Sequence, residues 1–309
     1  MVKDIILDCD PGHDDAIAIL LAAGHHDINL RAITTVGGNQ TLEKVTRNAL
    51  GLATLAGISA PIAAGHDGPL NRPLITSPEI HGESGLDGVT LPDPTMELDP
   101  RHGVDLIIDT IMESDPGTIT LVPTGPLTNI ASALQKQPEI ARRVAEVSLM
   151  GGGASVGNAT AAAEFNILVD PEAADIVFAA PWKVTMVGLD VTHEAQATPE
   201  VLDRIRTLNT PISSFVDDLM AFFIRSNQLE QHFAAPPVHD PVALAHVIDP
   251  DILTTEHLPI YVETEGKYTT GMTLVDRRPW ITPDKNTHVA TGIDVGRFWD
   301  HVIEAIGNL

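Results

Sequence analysis

The chain has 309 residues, of which 43% are hydrophobic and 4% aromatic, so it can bury the core of one large domain. Its 42 acidic and 18 basic residues give a formal net charge of -24, which repels phosphate backbones and anionic membrane surfaces at long range. We therefore expect a single domain over residues 1–309, with neither nucleic acid nor membrane as a partner.

Short apolar runs alternate with segments of helical length along the chain. The runs that predict strands are residues 4–7, 30–36, 118–122, 147–150 and 184–189. The segments that predict helices are residues 14–23, 42–56, 104–113, 127–134 and 171–179. This alternation is typical of parallel strands joined by crossover helices. The sequence thus predicts an α/β fold with an open, mostly parallel sheet flanked by helices.

Other segments depart from this alternation. Residues 65–100 are rich in Gly, Pro and Asp, which predicts a weakly structured insertion of the kind that covers a site. Residues 207–250 indicate a helix, a loop and a second helix over 242–247. Near the C-terminus, residues 258–264 and 269–275 predict an antiparallel pair, and residues 295–306 a final helix.

Four aspartates follow the first predicted strand within eight residues: Asp8, Asp10, Asp14 and Asp15. Like charges this close raise one another's pKa unless a cation or strong hydrogen-bond donors share the site. No Lys or Arg lies between residues 4 and 30, so a hard cation such as Ca²⁺ or Mg²⁺ is the natural counter-charge. Asp14 and Asp15 could instead only complement a helix dipole, but this alternative leaves Asp8 and Asp10 unexplained.

Glycine-rich or polar turns follow the other predicted strands as well. They lie at residues 37–39, 123–125 and 151–153, and at Asp190. In open parallel α/β sheets, ligands bind in the crevice outside the carboxyl ends of the strands. We therefore expect these turns to converge with the aspartates on one pocket.

The cysteine and histidine residues give no sign of a disulfide-linked protein or of a zinc site. Cys9 is the only cysteine, so no intramolecular disulfide can form, and no apolar run is long enough for a membrane span or a secretory leader. The expected location is cytoplasmic. The pair His25 and His26 falls in a predicted surface loop, and no histidine spacing typical of zinc accompanies the aspartates.

Residues 8–16 (DCDPGHDDA) resemble the N-terminal signature of the nucleoside hydrolases, in particular the inosine-uridine preferring group. Six more blocks resemble that family in the same order. They are AITTVGGNQ at 32–40, HGESG at 81–85, LVPTGPLTN at 121–129, LMGGG at 149–153, AEFN at 163–166 and VHDP at 238–241. The resemblance covers nearly the whole chain. It implies the Rossmann-like nucleoside hydrolase fold with a C-terminal antiparallel extension, and a homodimer or homotetramer.

The resemblance also implies a set of site residues. Ca²⁺ would be held by the side chains of Asp10, Asp15 and Asp240 and by the main-chain carbonyl of Thr124. Ribose would be held by amides and carboxylates, which suit hydroxyls because each hydroxyl both donates and accepts a hydrogen bond. The ribose contacts implied are Asp14, Asn39, Asn158, Glu164 and Asn166, with Met150 packing nearby.

The implied reaction is hydrolysis of the N-glycosidic bond of a ribonucleoside to free base and ribose. Its transition state resembles an oxocarbenium ion, which a carboxylate-rich environment stabilises. By the resemblance, Asp10 accepts a proton from a Ca²⁺-assisted water that attacks the anomeric carbon with inversion. His239 would protonate or hydrogen-bond the departing base, with His81 as a second contributor.

The preferred base stays open at this point, with inosine-uridine or pyrimidine preference favoured. Tyrosines that family members often carry before the VHDP block are absent from residues 220–227. Phe223, His232 and Phe233 are candidates either for base stacking or for packing, and Trp182, Trp280 and Trp299 fall outside the matched blocks.

Two other functions fit part of the sequence. A non-catalytic nucleoside or ribose-binding protein could use the same pocket, but it would not need the pair Asp10 and His239. A haloacid dehalogenase type phosphatase also places two aspartates after its first strand. It is disfavoured because Pro11 and Gly12 follow Asp10 and because lysines are scarce near the strand ends.

Overall fold

Ten strands occur in the computed structural model, which describes residues 2–280, 284 and 286–309. They are β1 (Lys3–Cys9), β2 (Ile28–Thr35), β3 (Ile62–Ala64), β4 (Ile119–Pro123), β5 (Glu146–Met150), β6 (Val184–Val187), β7 (Leu253–Leu258), β8 (Ile260–Val262), β9 (Thr273–Val275) and β10 (Thr287–Ile293). Eight of them form one sheet in the order β3-β2-β1-β4-β5-β6-β10-β7, and β8 and β9 form a separate pair.

The central sheet is parallel except at one edge, where β7 runs antiparallel to β10. The separate pair of β8 and β9 is antiparallel, with Tyr261 opposite Leu274. The predicted α/β fold with a mostly parallel sheet and a C-terminal antiparallel extension is therefore confirmed. Three strands of the sheet, β3, β7 and β10, were missed by the sequence analysis.

Thirteen α-helices connect the strands in the described residues. They are α1 (His13–Gly24), α2 (Leu42–Ala56), α3 (Pro78–His81), α4 (Gly103–Glu113), α5 (Thr128–Lys136), α6 (Ile140–Arg143), α7 (Phe165–Val169), α8 (Pro171–Ala179), α9 (Leu189–Thr192), α10 (Pro199–Thr207), α11 (Pro211–Glu230), α12 (Asp240–Ile248) and α13 (Val295–Gly307). A short 3₁₀ helix, Pro250–Ile252, precedes β7. The predicted insertion at 65–100 holds only the one-turn helix α3.

Two hydrophobic cores lie on the two faces of the sheet. Successive side chains of a strand point to opposite faces, so Ile5 and Leu7 of β1 pack in the core with α1, α11, α12 and α13. Ile6 packs in the second core with α4, α5 and α8. Because both faces are covered, β1 is a continuous apolar run rather than an alternating one.

The C-terminal helix α13 packs in the same core as α1, and a contact between two histidines joins these helices. The Nε2 atom of His25, at the end of α1, lies 3.2 Å from Nδ1 of His301 on α13. His25 is buried and His26 is exposed, so the predicted surface position is wrong for His25 and right for His26. None of the helices within the described ranges is both long and apolar enough to cross a membrane.

Candidate active site

The carboxylates of Asp14, Asp15 and Asp240 meet beyond the carboxyl end of β1. One oxygen atom from each lies within 4.8 Å of the others, and all three residues are buried. Asp14 and Asp15 belong to the first turn of α1, and Asp240 begins α12. The chain thus brings a third carboxylate to the cluster from a distant segment, as the resemblance implied.

Asp10 lies next to this cluster and is fully buried. Its Oδ2 accepts a hydrogen bond of 2.7 Å from the main-chain N–H of Asn39. Its Oδ1 is buried and has no hydrogen-bond partner among the described residues. An ideal Cβ on Gly125 would lie 2.4 Å from that Oδ1, so only glycine lets this loop approach Asp10 so closely.

Asp15 and Thr124 are joined through the hydroxyl group of the threonine. Thr124 donates from Oγ1 to Oδ1 of Asp15 at 2.8 Å, and Gly12 donates its main-chain N–H to Oδ2 at 3.1 Å. The carbonyl of Thr124 accepts a hydrogen bond of 2.8 Å from Nδ2 of Asn166. A carbonyl has two lone pairs, so this bond leaves one for a further partner.

Burial raises the pKa of Asp10, Asp14, Asp15 and Asp240, because water no longer solvates the charged form. Repulsion between neighbouring carboxylates adds to the effect at Asp10, Asp14 and Asp240, and the pKa of Asp14 is raised to about 7. Within the described ranges, no lysine or arginine forms an ion pair with any of the four. Oxygen-only donors with uncompensated negative charge fit a hard divalent cation.

Asp8 lies apart from this cluster although it belongs to the same motif. Its Oδ1 accepts hydrogen bonds from Thr34 at 2.6 Å and from Asn129 at 2.8 Å. Burial raises the pKa of Asp8 to about 7. These contacts tie β1 to β2 and to α5, which indicates a structural role for Asp8.

A cavity of about 360 Å³ opens over the carboxylates, in the size range of small-molecule sites. Many of the sequence-predicted residues line it: Asp14, Asn39, His81, Thr124, Met150, Asn158, Glu164, Asn166, His239 and Asp240. Asp10 and Asp15 lie buried beneath this lining. Two of the predicted turns, residues 37–39 and 123–125, therefore reach the pocket, whereas residues 151–153 and Asp190 are not among the described residues that line it.

The wall formed by residues 150–166 is held together by its own hydrogen bonds. Glu164 caps α7 by accepting from the main-chain N–H of Asn166 at 2.8 Å, and its other oxygen accepts from Gly152 at 2.9 Å. Asn166 lies 3.5 Å from the sulfur of Met150. Asn158 accepts from the main-chain N–H of Phe165 at 2.9 Å. Glu164 and Asn166 are therefore fixed in place before any ligand binds.

Two histidines reach the cavity from different segments. His239 donates its main-chain N–H to Oδ2 of Asp14 at 3.3 Å, and its Nδ1 lies 2.8 Å from Oγ1 of Thr192. Burial lowers the pKa of His239 to about 3. Burial also lowers the pKa of His81, whose ring stacks against Phe223. Both rings are therefore neutral at pH 7.

The cavity extends to side chains that the sequence analysis did not select. They include Ile80 on α3, Phe165 on α7, Asn227 and Glu230 at the end of α11, and Gln231 directly after it. Asn227 and Gln231 are four residues apart, so helical periodicity could have placed both on one face.

The aromatic candidates for base stacking divide into two groups. Phe223 lines the cavity, but His232 and Phe233 do not, and Phe233 packs on His193 instead. None of the three tryptophans is among the described residues that line it. Stacking by His232, Phe233 or tryptophan therefore has no support from the geometry.

Comparison with known proteins agrees with this geometry. The family described as inosine-uridine preferring nucleoside hydrolase matches residues 5–300. An inosine-uridine preferring nucleoside hydrolase from Crithidia fasciculata is 53% identical over 308 residues, covering 99% of this chain and 98% of that protein. A pyrimidine-specific ribonucleoside hydrolase from Photobacterium profundum is 44% identical and covers 100% of both chains.

Solved structures give the same result. A purine-preferring ribonucleoside hydrolase from Gardnerella vaginalis superposes with a TM-score of 0.92 at 36% identity, covering 99% of this chain and 98% of that one. The predicted resemblance is thus confirmed over almost the full length. This chain belongs to the inosine-uridine preferring nucleoside hydrolase family, and its activity is that of a ribonucleoside hydrolase.

Proposed function

We propose that the enzyme hydrolyses the N-glycosidic bond of inosine, uridine or other pyrimidine nucleosides to free base and ribose. One observation carries the proposal: three buried carboxylates meet at the floor of a cavity whose walls hold amides, carboxylates and two neutral histidines. The relatives from Crithidia and Photobacterium are named for inosine-uridine and pyrimidine substrates. The base preference proposed here follows those names.

The ion we propose at the carboxylates is Ca²⁺, held by Asp10, Asp15 and Asp240 and by the carbonyl of Thr124. Asp14 belongs to the same cluster and would stand beside the ion. Support comes from the donors, which are all oxygen atoms, and from the unpartnered Oδ1 of Asp10. When bound, the ion would lower the pKa of a water molecule and help to hold the ribose hydroxyls.

Asp10 is the general base in this proposal. Its Oδ1 has no hydrogen-bond partner among the described residues, so a lone pair is free to accept a proton. It takes a proton from the attacking water as the oxygen bonds to the anomeric carbon. A single displacement of this kind inverts the configuration at that carbon.

The sugar lies between the carboxylates and the wall formed by residues 150–166. Asp14, Asn39, Glu164 and Asn166 offer both donors and acceptors to the ribose hydroxyls, as the hydroxyls require. Asn158 and Met150 complete that wall. As the bond to the base breaks, positive charge grows on the ribose, and the surrounding carboxylates stabilise it.

His239 and His81 act on the departing base. A base that leaves with its bonding electrons gains negative charge, which hydrogen-bond donors stabilise. Since burial lowers the pKa of both rings, each acts as a neutral donor through its single N–H. His239 is the main donor in this proposal, because the hydrogen bond from its main-chain N–H to Asp14 holds it beside the carboxylates.

Three further properties belong to the proposal. A single domain over residues 1–309 is supported by the sheet, since β10 from the C-terminal part lies next to β6. A homodimer or homotetramer is proposed from the family resemblance alone. A cytoplasmic location suits a chain whose single thiol, Cys9, is free and buried.

A panel of nucleosides tests the proposal. The protein is mixed with inosine, uridine, cytidine or guanosine plus Ca²⁺, and free ribose is measured as reducing sugar. Inosine or a pyrimidine nucleoside should give the highest kcat/KM. The matched variants are Asp240→Asn, which removes a cluster carboxylate, and Asp93→Asn on the surface. Ribose release should fail in the first and persist in the second; binding of nucleoside without any ribose release would refute the proposal.

A further inference from the structure

We propose that Thr192 is a positioning residue, which fixes His239 in the tautomer that carries its proton on Nε2, so that an N–H faces the departing base. The proposal rests on the function proposed for His239 above. It concerns a residue that does not line the cavity and that acts only through the histidine.

Thr192 is the last residue of the one-turn helix α9 and is fully buried. Its Oγ1 lies 2.8 Å from Nδ1 of His239. This is the single hydrogen bond of the hydroxyl group within the part of the chain that the structure describes. A threonine at a helix end often donates to the carbonyl four residues earlier, but this one bonds the histidine instead.

The direction of this hydrogen bond follows from what each partner needs. A buried hydroxyl hydrogen without an acceptor carries the full desolvation cost of the group. In the described structure only Nδ1 of His239 is placed to accept it. If the ring donated from Nδ1 instead, the hydroxyl hydrogen of Thr192 would be left without a partner. Thr192 is therefore the donor, and Nδ1 carries a lone pair.

A neutral imidazole has one N–H, so a lone pair on Nδ1 places the proton on Nε2. The Nδ1 side of the ring is occupied by Thr192, and His239 lines the cavity. Nε2 is therefore the nitrogen that a nucleobase can meet. The opposite tautomer would present a lone pair to a base that is gaining negative charge, and would repel it.

Both partners are held firmly, which makes the tautomer a fixed property of the site. The main-chain N–H of Thr192 donates to the carbonyl of Gly188 at 3.1 Å, directly after β6. An ideal Cβ on Gly188 would lie 2.8 Å from the carbonyl oxygen of Gly152, so this turn packs tightly on the cavity wall. His239 is fixed from the other side by its hydrogen bond to Asp14.

Two substitutions at Thr192 separate the hydroxyl group from the volume of the side chain. Thr192→Val keeps the shape and removes the hydroxyl; Thr192→Ser keeps the hydroxyl. We expect the valine variant to lose about tenfold in kcat/KM on inosine or uridine, the effect of one hydrogen bond. The serine variant should retain most of that activity. On p-nitrophenyl riboside, whose leaving group needs no donor, the valine variant should match the wild type.

The tautomer itself is measured by ¹⁵N NMR of the histidine rings, with the His239 signals assigned by their loss in His239→Gln. In the wild type we expect a protonated Nε2 and an unprotonated Nδ1, and in Thr192→Val an upfield shift of the Nδ1 signal, because the tautomer with its proton on Nδ1 becomes populated. A protonated Nδ1 in the wild type would overturn the proposal. Equal losses by Thr192→Val on both substrates, or no loss on either, would also overturn it.

The ribose assay tests the proposed function, and the NMR measurement tests the tautomer, so the two can fail separately. If the wild type releases no ribose from any nucleoside, the hydrolase mechanism fails, while the NMR measurement still decides the tautomer. If the valine variant does not fold, the wild-type spectrum and the serine variant remain decisive.

Discussion

The main-chain N–H of His13 donates a hydrogen bond of 3.2 Å to Nδ1 of His81, a residue 68 positions later in the chain. A main-chain N–H can only donate, so Nδ1 of His81 carries a lone pair and the neutral ring has its proton on Nε2. The start of α1 therefore positions both the carboxylate cluster and a histidine of the cavity.

The first prediction concerns the glycine that permits this approach. An ideal Cβ on Gly12 would lie 2.5 Å from Nδ1 of His81, while the backbone of Gly12, at φ -101, is open to any residue. Gly12→Ala should displace His81 and lower kcat/KM on inosine by about a hundredfold, as misplacement by about 1 Å can do. Gly68→Ala, with no atom closer than 3.5 Å, is the control. Equal activity of the two variants would contradict the role of this contact.

The second prediction separates activity from stability at Asp10. Asp10→Asn should lower kcat by roughly 10³-fold or more, because the general base is lost. In metal-free protein the same change should raise the melting temperature, since the buried carboxylate, whose pKa is raised by burial and by its neighbours, destabilises the fold when ionised. Calorimetry in EDTA measures this. A lower melting temperature would mean that the carboxylates do not repel one another in the folded protein.

The third prediction concerns the ion. EDTA should reduce ribose release, and Ca²⁺ should restore it. An ion that binds only the folded state at a free concentration of 100 times its Kd adds about 2.7 kcal/mol to the free energy of unfolding. Urea denaturation with and without Ca²⁺ measures that gain, which Asp240→Asn should abolish. Restoration by Zn²⁺ alone would contradict the choice of a hard cation.

The fourth prediction tests the histidine at the departing base. His239→Ala should lower kcat/KM on inosine by about 10²-fold or more, in line with the loss of one donor to a developing negative charge. It should leave p-nitrophenyl riboside nearly unaffected. His26→Ala changes a histidine on the surface and serves as the control. Equal losses on both substrates would show that His239 does not act on the leaving group.

The fifth prediction concerns pH and lies away from the site, at the start of β5. Burial alone would raise the pKa of Glu146, but hydrogen bonds from His246 and Lys183 outweigh it and lower the pKa to about 2. The carboxylate therefore stabilises the fold above pH 4.5, its ordinary pKa, and this contribution is lost as the pH falls toward 2.

Urea denaturation of the wild type and of Glu146→Gln at two pH values measures this contribution to the free energy of unfolding. The stability difference should be clear at pH 7 and should shrink by pH 3. Glu97→Gln, at an exposed position, should show no such change. A difference that is constant with pH would assign the effect of Glu146 to packing rather than to charge.

The convergence of the site was predictable because one topological rule governs it. Asp10 and Thr124 follow neighbouring parallel strands, whose carboxyl ends meet at one edge. The position of Asp240 could not be predicted from this rule. Nothing in its local sequence places it near Asp15, and only the resemblance in the VHDP block connected the two.

The missed features depend on contacts that no local pattern records. β10 has a polar and glycine-containing sequence, and it is a strand because Val184–Val187 and Leu253–Leu258 pair with it on either side. Thr192 lies in a helix of one turn, too short to show periodicity. Its importance depends on one distance to His239, which no sequence window contains.

The position of Asp240 also has a consequence for synthesis on the ribosome. The acidic turn at residues 8–15 emerges early, but its partner follows only when the chain has passed residue 240. Until then the nascent polypeptide can build β1 and its neighbours around carboxylates that lack the last member of their cluster. Maturation of the catalytic centre must therefore be a late event, whatever order the rest of the sheet follows.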